Sequence, residues 1–108
     1  HFVQGHVDGV GVIRALRPED GSLWVTVESP AELLSVIVPK GFVAVDGVSL
    51  TVVEVFPDAF NFMLIAYSQE HIVLPRKSTG ARVNLEVDML GKYVERFVQG
   101  ATDAVRND

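Results

Sequence analysis

Lys40-Gly-Phe-Val-Ala-Val-Asp-Gly-Val-Ser-Leu-Thr-Val52 is the stretch on which the fold class turns. Phe42 to Val45 and Val48 to Val53 are mostly β-branched or aromatic, as strands require, and Asp46-Gly47 supplies the chemistry of a two-residue hairpin turn. The stretch reads as an antiparallel strand pair. Ser49 and Thr51 stand two residues apart on its second strand and therefore share one face. Two such hydroxyls either face solvent or, inside an apolar barrel, need partners that a polar ligand can supply.

Working outward, Val7 to Leu16 is rich in Val, Ile and Gly and predicts a first strand, with Gly9 and Gly11 permitting a bulge or sharp coiling. A turn is expected at Pro18-Glu19-Asp20-Gly21. Leu23, Val25 and Val27 then alternate with Trp24, Thr26 and Glu28, the period of a strand with one buried face. Ser29-Pro30 gives N-cap and N1 signals for a short helix from Ala31 to about Ile37, ended by Pro39. Beyond Pro57-Asp58, Phe60 to Tyr67 is apolar enough to be buried on both sides for part of its length. Ile72 to Leu74 reads as a short edge strand limited by Pro75. After Thr79-Gly80, Val83, Leu85 and Val87 mark one face of a last strand from Arg82 to Val87. About six short strands separated by turn signals indicate an antiparallel sandwich or barrel.

The tail changes period. Leu90, Val94, Phe97, Val98 and Ala101 form one apolar stripe on a helix, opposite Lys92, Glu95, Arg96 and Gln99. The chain thus divides into a β domain over residues 1–88 and an amphipathic helix over residues 89–108, which locally reads as a lid over the open end of that domain.

Composition narrows the function. At 108 residues the chain supports one domain with a modest core, and its 48% hydrophobic content excludes disorder. No run approaches the ~18 apolar residues of a membrane span. The absence of cysteine removes disulfides and thiolate chemistry and suits a reducing compartment, so cytoplasm is expected, or a plastid stroma. His1, His6 and His71 lack metal-ligand spacing with a carboxylate, so no metal is expected. A net charge of −5 argues against a nucleic-acid partner. The first residue is His, immediately beside a motif, which suggests a piece of a longer protein.

Gly5-His6-Val7-Asp8-Gly9, the Lys40 to Val52 stretch and Val83-Asn84-Leu85-Glu86-Val87-Asp88, in this order and spacing, resemble the riboflavin synthase family. The resemblance runs from His1 to about Phe97 and fits the second, C-terminal of that family's two homologous barrels. A Met-Phe-Thr-Gly start and a cysteine near the position of Ser49, features of the other barrel, are both missing. The resemblance implies a six-stranded Greek-key barrel with a short connecting helix and a C-terminal helix. It also implies homotrimers, with the helix over residues 89–108 packing between subunits as the alternative to a lid, and conversion of two 6,7-dimethyl-8-ribityllumazine molecules into riboflavin and 5-amino-6-ribitylaminouracil, with no cofactor.

On the same resemblance, Ser49, Thr51 and Ile65 line the pteridine ring, Lys40, Ser68 and Asp88 lie toward the ribityl chain, and Val7 packs on the ring. His6 and Ser49 are the residues expected at the chemistry, in which the lumazine 7-methyl group must lose a proton and a His titrates in the right range. Local alternatives stand beside these roles. Lys40 precedes a glycine and on local grounds reads as a solvated turn residue, Asp88 as the cap of the following helix, and Asp46 as hairpin chemistry alone. Family members carry Pro, then an acidic residue or His, then Thr where this chain has Ala66-Tyr67-Ser68. The family site forms between two barrels, so this chain alone is expected to bind ligand with little turnover. A non-catalytic lumazine or flavin carrier is the main rival. The end of an Arg-x-Tyr-Ser FAD motif at Tyr67-Ser68 is a weaker one, because Ile65 stands where the arginine belongs.

Overall fold

A computed structural model describes residues 3–65 and 77–106. Strands β1 (Gly9–Glu19), β2 (Ser22–Glu28), β3 (Phe42–Val45), β4 (Val48–Thr51), β5 (Glu54–Val55), β6 (Ala59–Leu64) and β7 (Arg82–Val87) are accompanied by helices α1 (Ala31–Leu34) and α2 (Met89–Arg106). The strands form one antiparallel sheet in the order β4-β3-β7-β1-β2-β6-β5. Its two edges, β4 and β5, are separated in sequence only by Val52 and Val53. Three Cα steps of ~3.8 Å reach no more than ~11 Å, so the sheet must curl until its edges meet.

Among the described residues there are seven strands, or six when β4 and β5 are counted as one bent strand. Its bonding runs to both sides: the Val52 N–H donates to Gly41 O at 2.9 Å, and the Val53 N–H to Asn61 O at 3.0 Å. The next N–H, of Glu54, turns to the same residue and donates to Asn61 Oδ1 at 2.8 Å. Asn61 is buried at 7% exposure and satisfies the bend, while its Nδ2 donates to Glu54 Oε1 at 3.1 Å. The inward alternation predicted for β2 and β7 holds, since Val25, Val27, Val83, Leu85 and Val87 join Ile13, Val43, Val45, Phe60, Phe62 and Leu64 in the core. β6 is buried on both faces from Ala59 to Phe62, as its apolar run suggests.

The hairpin chemistry is as read. Asp46 and Gly47 have φ of 48° and 82°, the pair of positive values a type I′ turn needs. Several boundaries differ from expectation. β1 begins at Gly9, and residues 3–8 form a separate segment. The first turn is confined to Asp20-Gly21, because Pro18 and Glu19 still pair with Leu23 and Ser22. β7 accompanies β1 only as far as Val12, so Pro18 sits where one side of its strand is unpaired and its missing N–H is tolerated. The irregularity in β1 falls between Ile13 and Ala15 and not at a glycine. Gly11 instead allows close approach: a Cβ there would lie 2.7 Å from Glu28 O and 2.9 Å from Leu85 Cδ1.

The connecting helix is shorter than expected. Ser29 makes no side-chain cap, the Leu33 and Leu34 N–H groups both donate to Pro30 O at 3.1 Å, and tighter turns carry the chain to Ile37. On the outside of β1 and β2, Arg14 joins Glu28 at 2.9 Å and Asp58 at 2.6 Å. Those bonds hold the Arg14 guanidinium above its usual range and the Asp58 carboxyl below its own, chiefly through their mutual hydrogen bond. Helix α2 projects from the barrel, giving a molecule of 55 × 25 × 22 Å, as an 18-residue helix of about 27 Å should. Its stripe residues Leu90, Val94, Phe97 and Val98 are all exposed, Phe97 at 83%.

Candidate functional site

The strands that send Val43, Val45, Leu85 and Val87 inward send their alternate residues to the outer face of the barrel. Phe42 lies opposite Thr51 and Ala44 opposite Ser49, while on its other side Ala44 lies opposite Glu86. Ser49, Ala44 and Glu86 therefore form a row across three strands. Two interstrand spacings separate its ends by about 10 Å. The smallest side chain is in the middle, so the row is a trough with a hydroxyl on one rim and a carboxylate on the other.

Residues 3–8 wall this trough. The Gln4 N–H donates to Glu86 Oε2 at 2.8 Å, the Asp8 N–H to Leu85 O at 2.8 Å, and the Val87 N–H to Asp8 Oδ2 at 2.8 Å. Lys92 Nζ meets Asp8 Oδ1 at 2.8 Å and ties the same segment to the first turns of α2. Between wall and sheet lies a cavity of about 330 Å³ lined by Gly5, Val7, Ala44, Asp46, Asn84 and Glu86, among others. His6 is exposed in the wall between two lining residues. Asp46 has both carboxylate oxygens engaged, Oδ1 by the Asn84 N–H at 2.8 Å and Oδ2 by Lys77 Nζ at 2.6 Å, which fixes the hairpin to β7.

A second cavity, about 620 Å³, opens toward the other end of β3 between α2 and the segment after α1. Val38, Gly41, Phe42, Leu90 and Val94 make it apolar, and Asp88 lies at its edge. Asp88 also caps α2, accepting from the Leu90 N–H at 3.1 Å, which is the local role read from its position. Lys40 stands beside Gly41 at this end, exposed, with φ of 68° and its N–H donating to Val52 O at 2.8 Å. A positive φ in a lysine is a strained backbone held by its surroundings. Ile65, 54% exposed, follows the end of β6, and β4 and β6 touch.

The structure thus gathers Ser49 and Thr51 on one outer face, Val7 on the wall above it and Asp88 and Lys40 at its far end. His6 shares the wall with Val7. Ser68 lies outside the described residues, as do His1, Tyr67, His71 and the edge strand expected at Ile72 to Leu74. Phe42, Ala44 and Glu86 belong to the same face and were not singled out by sequence. Their signal was the outward phase of their strands, which ordinarily marks solvated positions. Among the described residues no helix is long and apolar enough to cross a membrane.

The chain is similar to proteins of one family. A family model described as the lumazine binding domain matches residues 4–88. The riboflavin synthase of Schizosaccharomyces pombe is 42% identical over 92% of this chain and 48% of its own length, and that of Mycobacterium tuberculosis is 43% identical over 94% and 52%. The chain spans about half the length of the curated relatives it matches. Among solved structures, LumP complexed with 6,7-dimethyl-8-(1'-D-ribityl)lumazine superposes with a TM-score of 0.74 at 26% identity, covering 81% of this chain and 49% of that one. LumP complexed with riboflavin gives 0.73 at 26% identity, covering 80% and 46%.

Proposed function

Because the chain belongs to the lumazine-binding domain family, whose domain occupies residues 4–88, we propose that it is the C-terminal lumazine-binding barrel of a riboflavin synthase. The flat ring of 6,7-dimethyl-8-ribityllumazine lies on the outer face against Ser49, Thr51 and Ile65, with Val7 packed over it. Lys40, Ser68 and Asp88 serve the ribityl hydroxyls. The observation that carries this reading is the convergence of Ser49, Thr51, Val7 and Asp88 on one face flanked by two cavities, each of a size usual for small-molecule sites.

The chemistry follows from the substrate. One lumazine loses a proton from its 7-methyl group, the resulting anion attacks a second lumazine, and a four-carbon unit passes between them to give riboflavin and 5-amino-6-ribitylaminouracil. His6, exposed in the wall beside Val7, is the side chain we assign to this proton transfer. Ser49 sits beside the reacting ring as a hydroxyl able to donate or accept. No metal or cofactor enters the scheme.

One barrel holds one lumazine, so the reaction needs a second barrel of the same family. The exposed apolar stripe of α2 is suited to join subunits, and a homotrimer of the whole protein is the assembly we assign. The lack of cysteine suits the cytoplasm. The test is to titrate the 108-residue chain with 6,7-dimethyl-8-ribityllumazine while assaying riboflavin formation. Saturable binding with little turnover is expected; turnover equal to that of the whole protein would sink the half-site reading. A carrier of lumazine or flavin is the second reading, favoured by the likeness to LumP. Inactivity of the whole protein, with a chromophore retained, would favour the carrier.

A further inference from the structure

We propose that Glu86 is a ligand-binding carboxylate that also positions the segment carrying His6 and Val7, an inference that rests on the lumazine reading above. Glu86 stands on the outer face as the penultimate residue of β7, and it is 8% exposed, an unusual burial for a carboxylate. Its Oε2 accepts the Gln4 N–H at 2.8 Å. Among the described residues Oε1 has no partner. Glu86 lines the adjoining cavity of about 330 Å³, so a molecule entering that cavity can supply the donor that Oε1 lacks.

The other carboxylate on this cavity does not compete for that role, because both Asp46 oxygens are already engaged. Ala44, the small residue between Glu86 and Ser49, lines the same cavity beside the carboxylate, so a flat ring entering it would meet the carboxylate with one edge. Lumazine offers two kinds of hydrogen-bond donor, the imide N–H of its dione ring and the hydroxyls of its ribityl chain. Glu86 accepts from one of them through Oε1. Through Oε2 it holds Gln4 and so steadies the wall two residues from His6. Ligand binding and the seating of the wall are thereby linked through one side chain.

Glu86→Gln separates the two roles. The Gln4 N–H requires the amide oxygen, so the amide NH₂ is left facing the ligand's donor and the two repel. The 108-residue chain and its Glu86→Gln variant are titrated by fluorescence with 6,7-dimethyl-8-ribityllumazine and with 6,7,8-trimethyllumazine, which lacks the polyol. The Gln4 amide resonance is followed in parallel. Loss of a charged hydrogen bond predicts that the variant binds the ribityl compound roughly ten- to hundredfold more weakly with the Gln4 resonance in place. The same penalty with the trimethyl compound assigns the donor to the imide N–H, and its disappearance assigns it to the ribityl chain; either supports the proposal. Binding by the variant within about twofold of the parent overturns the role of Glu86 and leaves the lumazine reading standing. Absence of binding by the parent overturns both. If Glu86→Gln fails to fold, Glu86→Asp, which keeps the charge but shortens its reach by one methylene, carries the same comparison with a smaller expected penalty.

Discussion

Replacing Thr51 by Val tests whether the hydroxyls on the outer face belong to a ligand or to the fold. Thr51 is exposed on β4 and lies directly opposite Phe42, itself 42% exposed. Valine keeps the β-branch and the contact with Phe42 and exchanges only the hydroxyl for a methyl group. Stability should therefore stay within about 0.5 kcal/mol of the parent, which for a domain of this size keeps the melting temperature within about 4 °C. The ligand loses one neutral hydrogen bond, about 0.5–1.5 kcal/mol, so the dissociation constant for 6,7-dimethyl-8-ribityllumazine should rise roughly two- to twelvefold. Fluorescence titration at 25 °C reads the affinity, and thermal unfolding of the same samples reads the stability. Unchanged affinity, or a melting temperature lowered by more than about 8 °C, would refute the reasoning, the second because it would make the hydroxyl part of the fold.

Three further outcomes follow. Gly11→Ala forces a Cβ to within 2.7 Å of the Glu28 carbonyl oxygen and into Val27 and Leu85, so urea unfolding should show a loss of about 1–3 kcal/mol; an unchanged midpoint would mean β1 can shift freely. Arg14 holds the folded Asp58 carboxyl below its ordinary value of 3.8, so the unfolded chain binds the proton more readily. This contribution is full above the unfolded value and is lost as pH falls through the folded one, so the advantage of the parent over Asp58→Asn should shrink as acid is added from about pH 5 downward; an advantage independent of pH would contradict the ion pair's part in it. Phe97→Glu charges the most exposed apolar residue of α2 among the described residues, and light scattering on the whole protein should show the proposed homotrimer replaced by smaller species while the barrel keeps its melting temperature. A trimer as stable as the parent's would remove α2 from the interface.

What could be read from sequence was whatever depends on local period and turn chemistry. Asp46-Gly47 demanded positive φ at both residues, and the alternation of Leu23 to Val27 and of Val83 to Val87 required one buried face, so the hairpin and the inward residues were legible. Asp88 was legible as a cap because the apolar stripe of α2 starts just beyond it. The trough was not, because the opposition of Ala44 to Glu86 is a register between strands far apart in the chain, which no local pattern records. Glu86 looked like an ordinary solvent-facing strand residue, and its burial comes from the segment of residues 3–8 folding over it. The last two residues of that segment, Val7 and Asp8, were themselves read as the start of the first strand, since Val7 continues the β-rich run. The division of Val48 to Val55 into two strands was hidden for a similar reason: its cause is the side chain of Asn61 on the neighbouring strand.

The most direct test of the account is a backbone amide chemical-shift titration of the 108-residue chain with 6,7-dimethyl-8-ribityllumazine. Saturable shifts centred on Phe42, Ala44, Ser49, Thr51 and Glu86 are predicted, with Arg14, Arg17, Trp24 and Thr26 on another part of the barrel unmoved. Shifts confined to that other part, or none at ligand concentrations that saturate the whole protein, would contradict it.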